Sequence, residues 1–245
     1  MQERKPIELI HIVDDLDAKA IEKGYIEDTR NTNEQQFISI NNINALAERY
    51  HFTPKVNQTY VYDISSQSYI LFDNDIEKHF SENKLEAYIT IFGYMGATSV
   101  EGKITDLTKR KKEADVNGGF TYKMVKADIE WKKQMQEDFS KTIEISRNFG
   151  RKNIKSYEEV KNYLQERGLI NDAKLRSRLE ELRISDNQLL SGTYEHKAIL
   201  THNLQSALNI AANLSATPFF SGNVGFKNRC SQYTEVHSEL RVVFD

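Results

Sequence analysis

Apolar residues recur along this chain with two alternating periods, and together they predict an α+β fold. Residues 7–13 are apolar on both parities (Ile7, Leu9, Ile10, Ile12, Val13), as in a short strand buried on both faces. Asn42 to Tyr50 sets Ile43, Leu46, Ala47 and Tyr50 on one helical face. TYVYDI and YILF flank a Ser-Ser-Gln-Ser turn, which predicts a hairpin over 59–72. Lys84 to Met95 carries Leu85, Tyr88, Ile89, Phe92 and Met95 on one helical face, and Gly96 stands where such a helix stops. Val100 and Ile104 then alternate with polar residues as a strand, and Asn117-Gly118-Gly119 marks a turn. The returning strand has Phe120, Tyr122 and Met124 on one parity but Val125, Ala127, Ile129 and Trp131 on the other, so a β-bulge is expected at Met124/Val125. Residues 132–140 fit either period, and Ile143 and Ile145 alternate again as a strand.

The second half opens on Ser156 and Glu159, the spacing of a capping box, ahead of a helix bearing Val160, Tyr163 and Leu164 and closed by Gly168. A second helix is expected from Asp172 to Arg183, and a third from Asn203 to Leu214. A last hairpin is predicted, with Phe220, Val224 and Phe226 on one arm and Val236, Leu240, Val242 and Phe244 on the other. The expected architecture is therefore an antiparallel sheet of long β-hairpins with amphipathic helices packed on it and a helical hairpin inserted at about 156–183. Residues 1–245 read as one domain. Stretches 84–131 and 203–244 share the order helix, small-residue joint (Gly96-Ala97-Thr98, Ser215-Ala216-Thr217), hairpin. That order fits a distant internal duplication as well as a chance repeat of a common α+β unit.

Composition narrows the class without naming a function. Twelve Phe and twelve Tyr argue against disorder, and three prolines leave no Pro-rich linker. A single cysteine, Cys230, forbids an internal disulfide and points to a reducing compartment. The N-terminal stretch is no signal peptide, and no run approaches the ~18 apolar residues of a membrane helix. A cytoplasmic protein is expected, and abundant Lys, Asn and Ile suggest a bacterial source. A net charge of −3 gives no global attraction to nucleic acid or acidic lipid, so either would need a local patch.

Two such patches exist. Lys109, Arg110, Lys111 and Lys112 fall near an expected hairpin tip, and Arg147, Arg151, Lys152 and Lys155 follow the next strand. Either could grip phosphates or a protein partner, or simply keep a protruding hairpin dissolved and its edges unpaired. The densest cluster of reactive types is Glu195, His196 and His202 in GTYEHKAILTHN. A carboxylate-oriented imidazole could act as a base, or the two histidines could hold a metal, although a spacing of six suits neither one helical face nor a standard zinc pattern. Cys230 and His237 lack any local signature of a thiol nucleophile and its base. Asp14, Asp15 and Asp17 follow the first strand and read as a helix start. The helical pair 156–183 carries Arg176, Arg178 and Arg183 on its second member, but Glu180 and Glu181 dilute that charge and favour an ordinary helical hairpin over a DNA-reading one.

No phosphate-loop, dinucleotide, nucleophile-elbow or zinc-protease motif occurs. The reading favours a non-catalytic protein that binds a partner protein or its own copies, with no cofactor and no metal. The alternatives are a membrane-active effector that extends its strands into a barrel, and a metal-dependent hydrolase or nuclease using His196 and His202. Binding of nucleic acid or anionic lipid would run through the basic clusters.

Overall fold

A computed structural model of the chain describes residues 6–26, 31–114, 120–124, 137, 146–149, 154–184, 190–214, 217, 219–220 and 224–244. The α+β reading holds: among these residues are seven α-helices and two mostly antiparallel sheets. Sheet A combines β1 (Leu9–Val13), β2 (Gln35–Ser39), β3 (Thr59–Asp63) and β4 (Ser68–Leu71) in the order β2-β1-β3-β4. β1 and β2 are parallel and joined through α1 (Asp15–Glu22), whose N-terminus is capped by the Asp14 carboxylate accepting from the Asp17 amide at 2.9 Å. A 3₁₀ turn (Ile40–Asn42) and α2 (Asn44–Arg49) lead to the predicted hairpin β3–β4. β1 is buried on both faces as expected. Leu9 and Val13 meet one cluster with Phe37, Val61 and Phe80, while Ile10 and Ile12 meet Tyr60, Tyr69 and the α2 side.

Sheet B is built on β5 (Ser99–Ala114) and β9 (Gln232–Phe244), which pair antiparallel over almost their whole length. β8 (Gly192–Ile199) extends the sheet beyond β9, while β6 (Phe120–Met124) and β7 (Ser146–Asn148) pair with opposite ends of β5. Its faces divide cleanly. Val236, Leu240 and Val242 turn into a core, and the other face carries Glu239 between Lys103 (3.0 Å) and Lys197 (3.4 Å). The helical hairpin is α4 (Tyr157–Glu166) and α5 (Ala173–Ile184), opened by the Ser156/Glu159 capping box. Gly168 adopts φ +66° after α4, a left-handed turn that costs glycine little. α6 (Leu204–Leu214) packs in the sheet A core.

One expectation changes among the described residues. The arm at 224–230 is not a strand but α7 (Val224–Cys230), so β9 pairs with β5 and β8 rather than closing a terminal hairpin. Phe226 is partly buried against Phe220 and Phe72, contacts that a helical turn satisfies as readily as a strand would. The bulge found is in β5 between Ile104 and Asp106, whereas Val125 and the rest of that expected strand lie outside the described residues. So do the Asn117-Gly118-Gly119 turn and the Ile143/Ile145 strand.

α3 (Ile76–Tyr94) begins two turns earlier than its apolar stripe suggested and links the two cores. Ile76 and Phe80 belong to the sheet A cluster, and Leu85 to Met95 to the sheet B cluster. Gly93 of α3 lies against the Phe149 ring, where a Cβ would come within 2.7 Å of Cε1. Gly93→Ala should therefore lower stability by about 1 kcal/mol, because overpacking of about 1–3 kcal/mol outweighs a helix-propensity gain of about 1. Chemical denaturation will measure it, and a stabilised variant would mean that Phe149 moves away freely.

Candidate functional site

Among the described residues, the predicted reactive residue that the fold builds into a constellation is His196. β8 alternates, so Tyr194, His196 and Ala198 turn toward the core while Glu195 and Lys197 face solvent. His196 is fully buried, its ring 4.8 Å from Tyr88 and 5.7 Å from Phe92. Its Nδ1 lies 3.2 Å from the Tyr194 hydroxyl, and Nε2 lies 3.2 Å from Oδ2 of Asp172, an ion-pair distance but off the line of a hydrogen bond. Asp172 caps α5: Oδ1 accepts from the amides of Lys174 (3.0 Å) and Leu175 (3.2 Å), and Oδ2 accepts from the Tyr88 hydroxyl at 3.1 Å. Arg178, one turn into α5, covers the Tyr194 ring at 4.4 Å.

A second buried group joins this one through α3. Lys84 is buried and donates Nζ to the carbonyl of Ile199 at 3.1 Å, near the end of β8. The charges of Asp63 and Asp172 both act on it. Asp63 ends β3 fully buried, accepting from the Ser65 amide (2.9 Å), the Ser66 hydroxyl (3.0 Å) and Asn83 Nδ2 (2.9 Å). Arg167 of the α4 terminus donates to the Ser65 carbonyl at 2.8 Å. These groups make a loose polar tie, Asp63 and Asp172 acting on Lys84 by charge without a direct ion pair and Asp172 lying beside His196, that links the β3–β4 turn, α3, α5 and β8.

Burial sets the protonation of its members. It pushes the Lys84 ammonium down to about 8, against the pull of Asp63 and Asp172. It raises the Tyr88 phenol well above its ordinary range and Tyr194 to about 12. For Asp172 burial alone would raise the carboxyl, but His196, the Leu175 amide and the Tyr88 hydroxyl overcome that effect and bring it down to about 2. For Asp63 burial prevails and the carboxyl is raised. Chemically the group is a set of buried polar contacts in which Asp172 is fully engaged while His196 Nε2 is left without an aligned hydrogen bond. A fully buried imidazole cannot meet a substrate without the core opening, so its arrangement serves to lock elements together.

The other candidate residues are not gathered. Glu195 is exposed on the face of β8 opposite His196, and His202 is exposed in the turn after it. Cys230 is buried in the sheet A cluster and His237 pairs with Glu235 at 3.5 Å on β9. No group of three or more His, Cys, Asp or Glu among the described residues is placed to hold a metal ion. Lys109, Arg110, Lys111 and Lys112 belong to the β5 ladder rather than to a loop at its tip: Lys109 opposes Thr234, Arg110 opposes Tyr233 and Met124, Lys111 opposes Gln232 and Lys123, and Lys112 opposes Tyr122. Arg147 lies in β7 opposite Val100, whereas Arg151 and Lys152 fall outside the described residues. Lys155 is engaged by Glu159 at 3.2 Å.

What sequence reasoning missed is Asp172, Lys84 and Asp63. Asp172 carried a readable signal, since it sits three residues before Leu175 at a helix start. Lys84 carried none, because its partner Ile199 is far away in the chain.

A separate surface feature lies across sheet A. An open groove of about 820 Å³ runs between α2 and the start of β1, walled by Leu46, Tyr50 and Tyr69 and rimmed by Glu8, Glu34 and Arg49. Tyr69 hydrogen-bonds the Ile7 carbonyl at 2.8 Å and packs edge-on against Tyr50, so the wall is rigid. No helix among the described residues is long and apolar enough to cross a membrane. No protein-family model, curated protein or solved structure matches the chain.

Two pH effects follow from the polar tie. The Asp172 carboxylate contributes stability that is complete above the ordinary carboxylate pKa of ~4 and is lost as pH falls toward 2. Asp172→Asn should remove that part of the acid dependence, and Asp172→Ala should cost about 2–4 kcal/mol by stripping both the helix cap and the partner of Tyr88. Lys84 acts in the same direction on the alkaline side. Its folded pKa is depressed, so the unfolded chain binds more protons between about 8 and 10.5 and stability rises with pH across that window. Urea midpoints of wild type and Lys84→Met at pH 7.5 and 9.5 will test this, and an equal change in both proteins would rule Lys84 out as the source.

Proposed function

We propose that this protein works by binding a partner protein rather than by turning over a substrate, and that the groove between α2 and sheet A is the contact surface. The groove carries this reading: it is open, apolar in its walls, rigid, and free of any nucleophile paired with a base. Tyrosines held in place by neighbours lose little conformational entropy on binding. Its rim is acidic on balance, because Glu8 and Glu34 outnumber Arg49, which lies 5.3 Å from the Tyr50 ring. The partner segment that fits has an apolar or aromatic anchor flanked by basic residues. A hydrolase using His196 and His202 has less support, since one of these is buried and the other is exposed on a turn.

Panning a random peptide library on the purified protein will test the proposal. Enriched peptides should share the anchor-plus-basic pattern, and Glu34→Lys should weaken them roughly fivefold, about 1 kcal/mol. Leu46→Asp should abolish measurable binding. Peptides indifferent to both substitutions would remove the groove from consideration. Metal-dependent hydrolysis lost on His202→Ala would replace this reading with the enzymatic one.

A further inference from the structure

We infer that the outer edge of β8 pairs with the same edge of a second copy of this chain, forming an antiparallel β8–β8 seam about a two-fold axis. This deepens the reading that the protein acts through contacts and names one partner as itself.

The hydrogen-bond parity of β8 defines which groups face outward. The Leu200 amide donates to the Val236 carbonyl at 2.8 Å, and the register continues through Ala198↔Ser238, His196↔Leu240 and Tyr194↔Val242. Even-numbered residues therefore direct their backbone groups to β9, and Thr193, Glu195, Lys197 and Ile199 direct theirs away from it. The Ile199 carbonyl is taken by Lys84. Among the described residues nothing hydrogen-bonds the outward amides and carbonyls of Thr193, Glu195 and Lys197. The outer edge of sheet A differs. There the loop before β2 folds back, Asn31 Oδ1 accepting from the Phe37 amide at 2.7 Å and Thr32 Oγ1 from the Gln35 amide at 3.0 Å. Among the described residues the β2 edge of sheet A is thus closed by its own chain, and the β8 edge of sheet B is left as a template.

Charge selects both the partner and the register. Outward residues of two antiparallel copies can pair with Glu195 opposite Glu195, which sets like charges face to face, or with Glu195 opposite Lys197 twice over. The second register places two complementary pairs on the solvent face, and His196 of each copy directly opposite the other beneath them. Both side chains are exposed, and each faces an opposite charge on β9, Lys197 beside Glu239 at 3.4 Å and Glu195 opposite Arg241, so the cross-copy pairs extend rows of alternating charge. The edge is also held straight before pairing, since β9 fixes one side of β8 and Lys84 and Asp172 fix its core face.

Sedimentation equilibrium on the full chain will decide. Wild type should show a concentration-dependent dimer that weakens at high salt. Glu195→Lys alone and Lys197→Glu alone should each weaken the homodimer roughly tenfold, because each turns both pairs into like-charge pairs. Mixing the two single variants should restore dimer, as should combining both substitutions in one chain, which also shows that each variant is folded. A wild type that stays monomeric overturns the proposal, and so does a dimer indifferent to the single swaps. Neither result touches peptide binding at the groove, so the two readings fail separately.

Discussion

The fold is arranged around one largely buried helix. α3 leaves a stripe of His79, Glu82, Glu86 and Thr90 open or half-open, and its buried residues include Glu77, Ser81 and Lys84, where an unpartnered polar group costs about 1–3 kcal/mol or more. Each polar group is accordingly matched. Glu77 meets Arg229 of α7. The Ser81 hydroxyl donates to its own helix at the Glu77 carbonyl, 2.7 Å away. Lys84 takes the Ile199 carbonyl, and Tyr88 takes Asp172. These partners arrive from α7, β8 and the start of α5, all far downstream. Correct docking of those elements is a condition for burying α3 at all.

That requirement explains how the two sheets keep their relation. The first turns of α3 are in the sheet A cluster and its last turns under sheet B, so a single rigid element fixes both. At its end Gly96 turns left-handed at φ +95°, and the Ala97 amide returns to the Phe92 carbonyl at 2.9 Å. The chain can then enter β5 immediately. Buried ionic groups of this sort are weak evidence for stability, because similar apolar side chains often do as well. What they supply along α3 is direction: Lys84 and Asp172 accept only certain partners, whereas leucines would accept many.

Local patterns were legible wherever the physics is local. The capping box at Ser156, the stop at Gly96, the N-cap at Asp14 and the doubly apolar β1 all depend on neighbours within a few residues, and all were readable. The first two turns of α3 were not. IEKHFSEN looks like solvated helix or loop until Arg229 is brought to Glu77 from the far end of the chain. α7 was read as a strand because Val224 and Phe226 fit either period in so short a window. The reactive types Glu195, His196 and His202 are close in sequence but are not brought together in space. Strand alternation separates Glu195 from His196, and the partner that matters, Asp172, comes from the helical hairpin.

The same alternation gives β8 two unlike roles. Its core-facing residues belong to the polar tie, while its solvent-facing Glu195 and Lys197 stand opposite Arg241 and Glu239 of β9 and still reach the open edge. A strand meant only to repel others needs a charge of one sign, since any self-pairing then opposes like charges in every register. Glu195 and Lys197 repel in one antiparallel register and attract in the other, so the edge is selective rather than blocked. That distinction depends on Lys84 and β9 holding the strand in a single register, which leads back to α3.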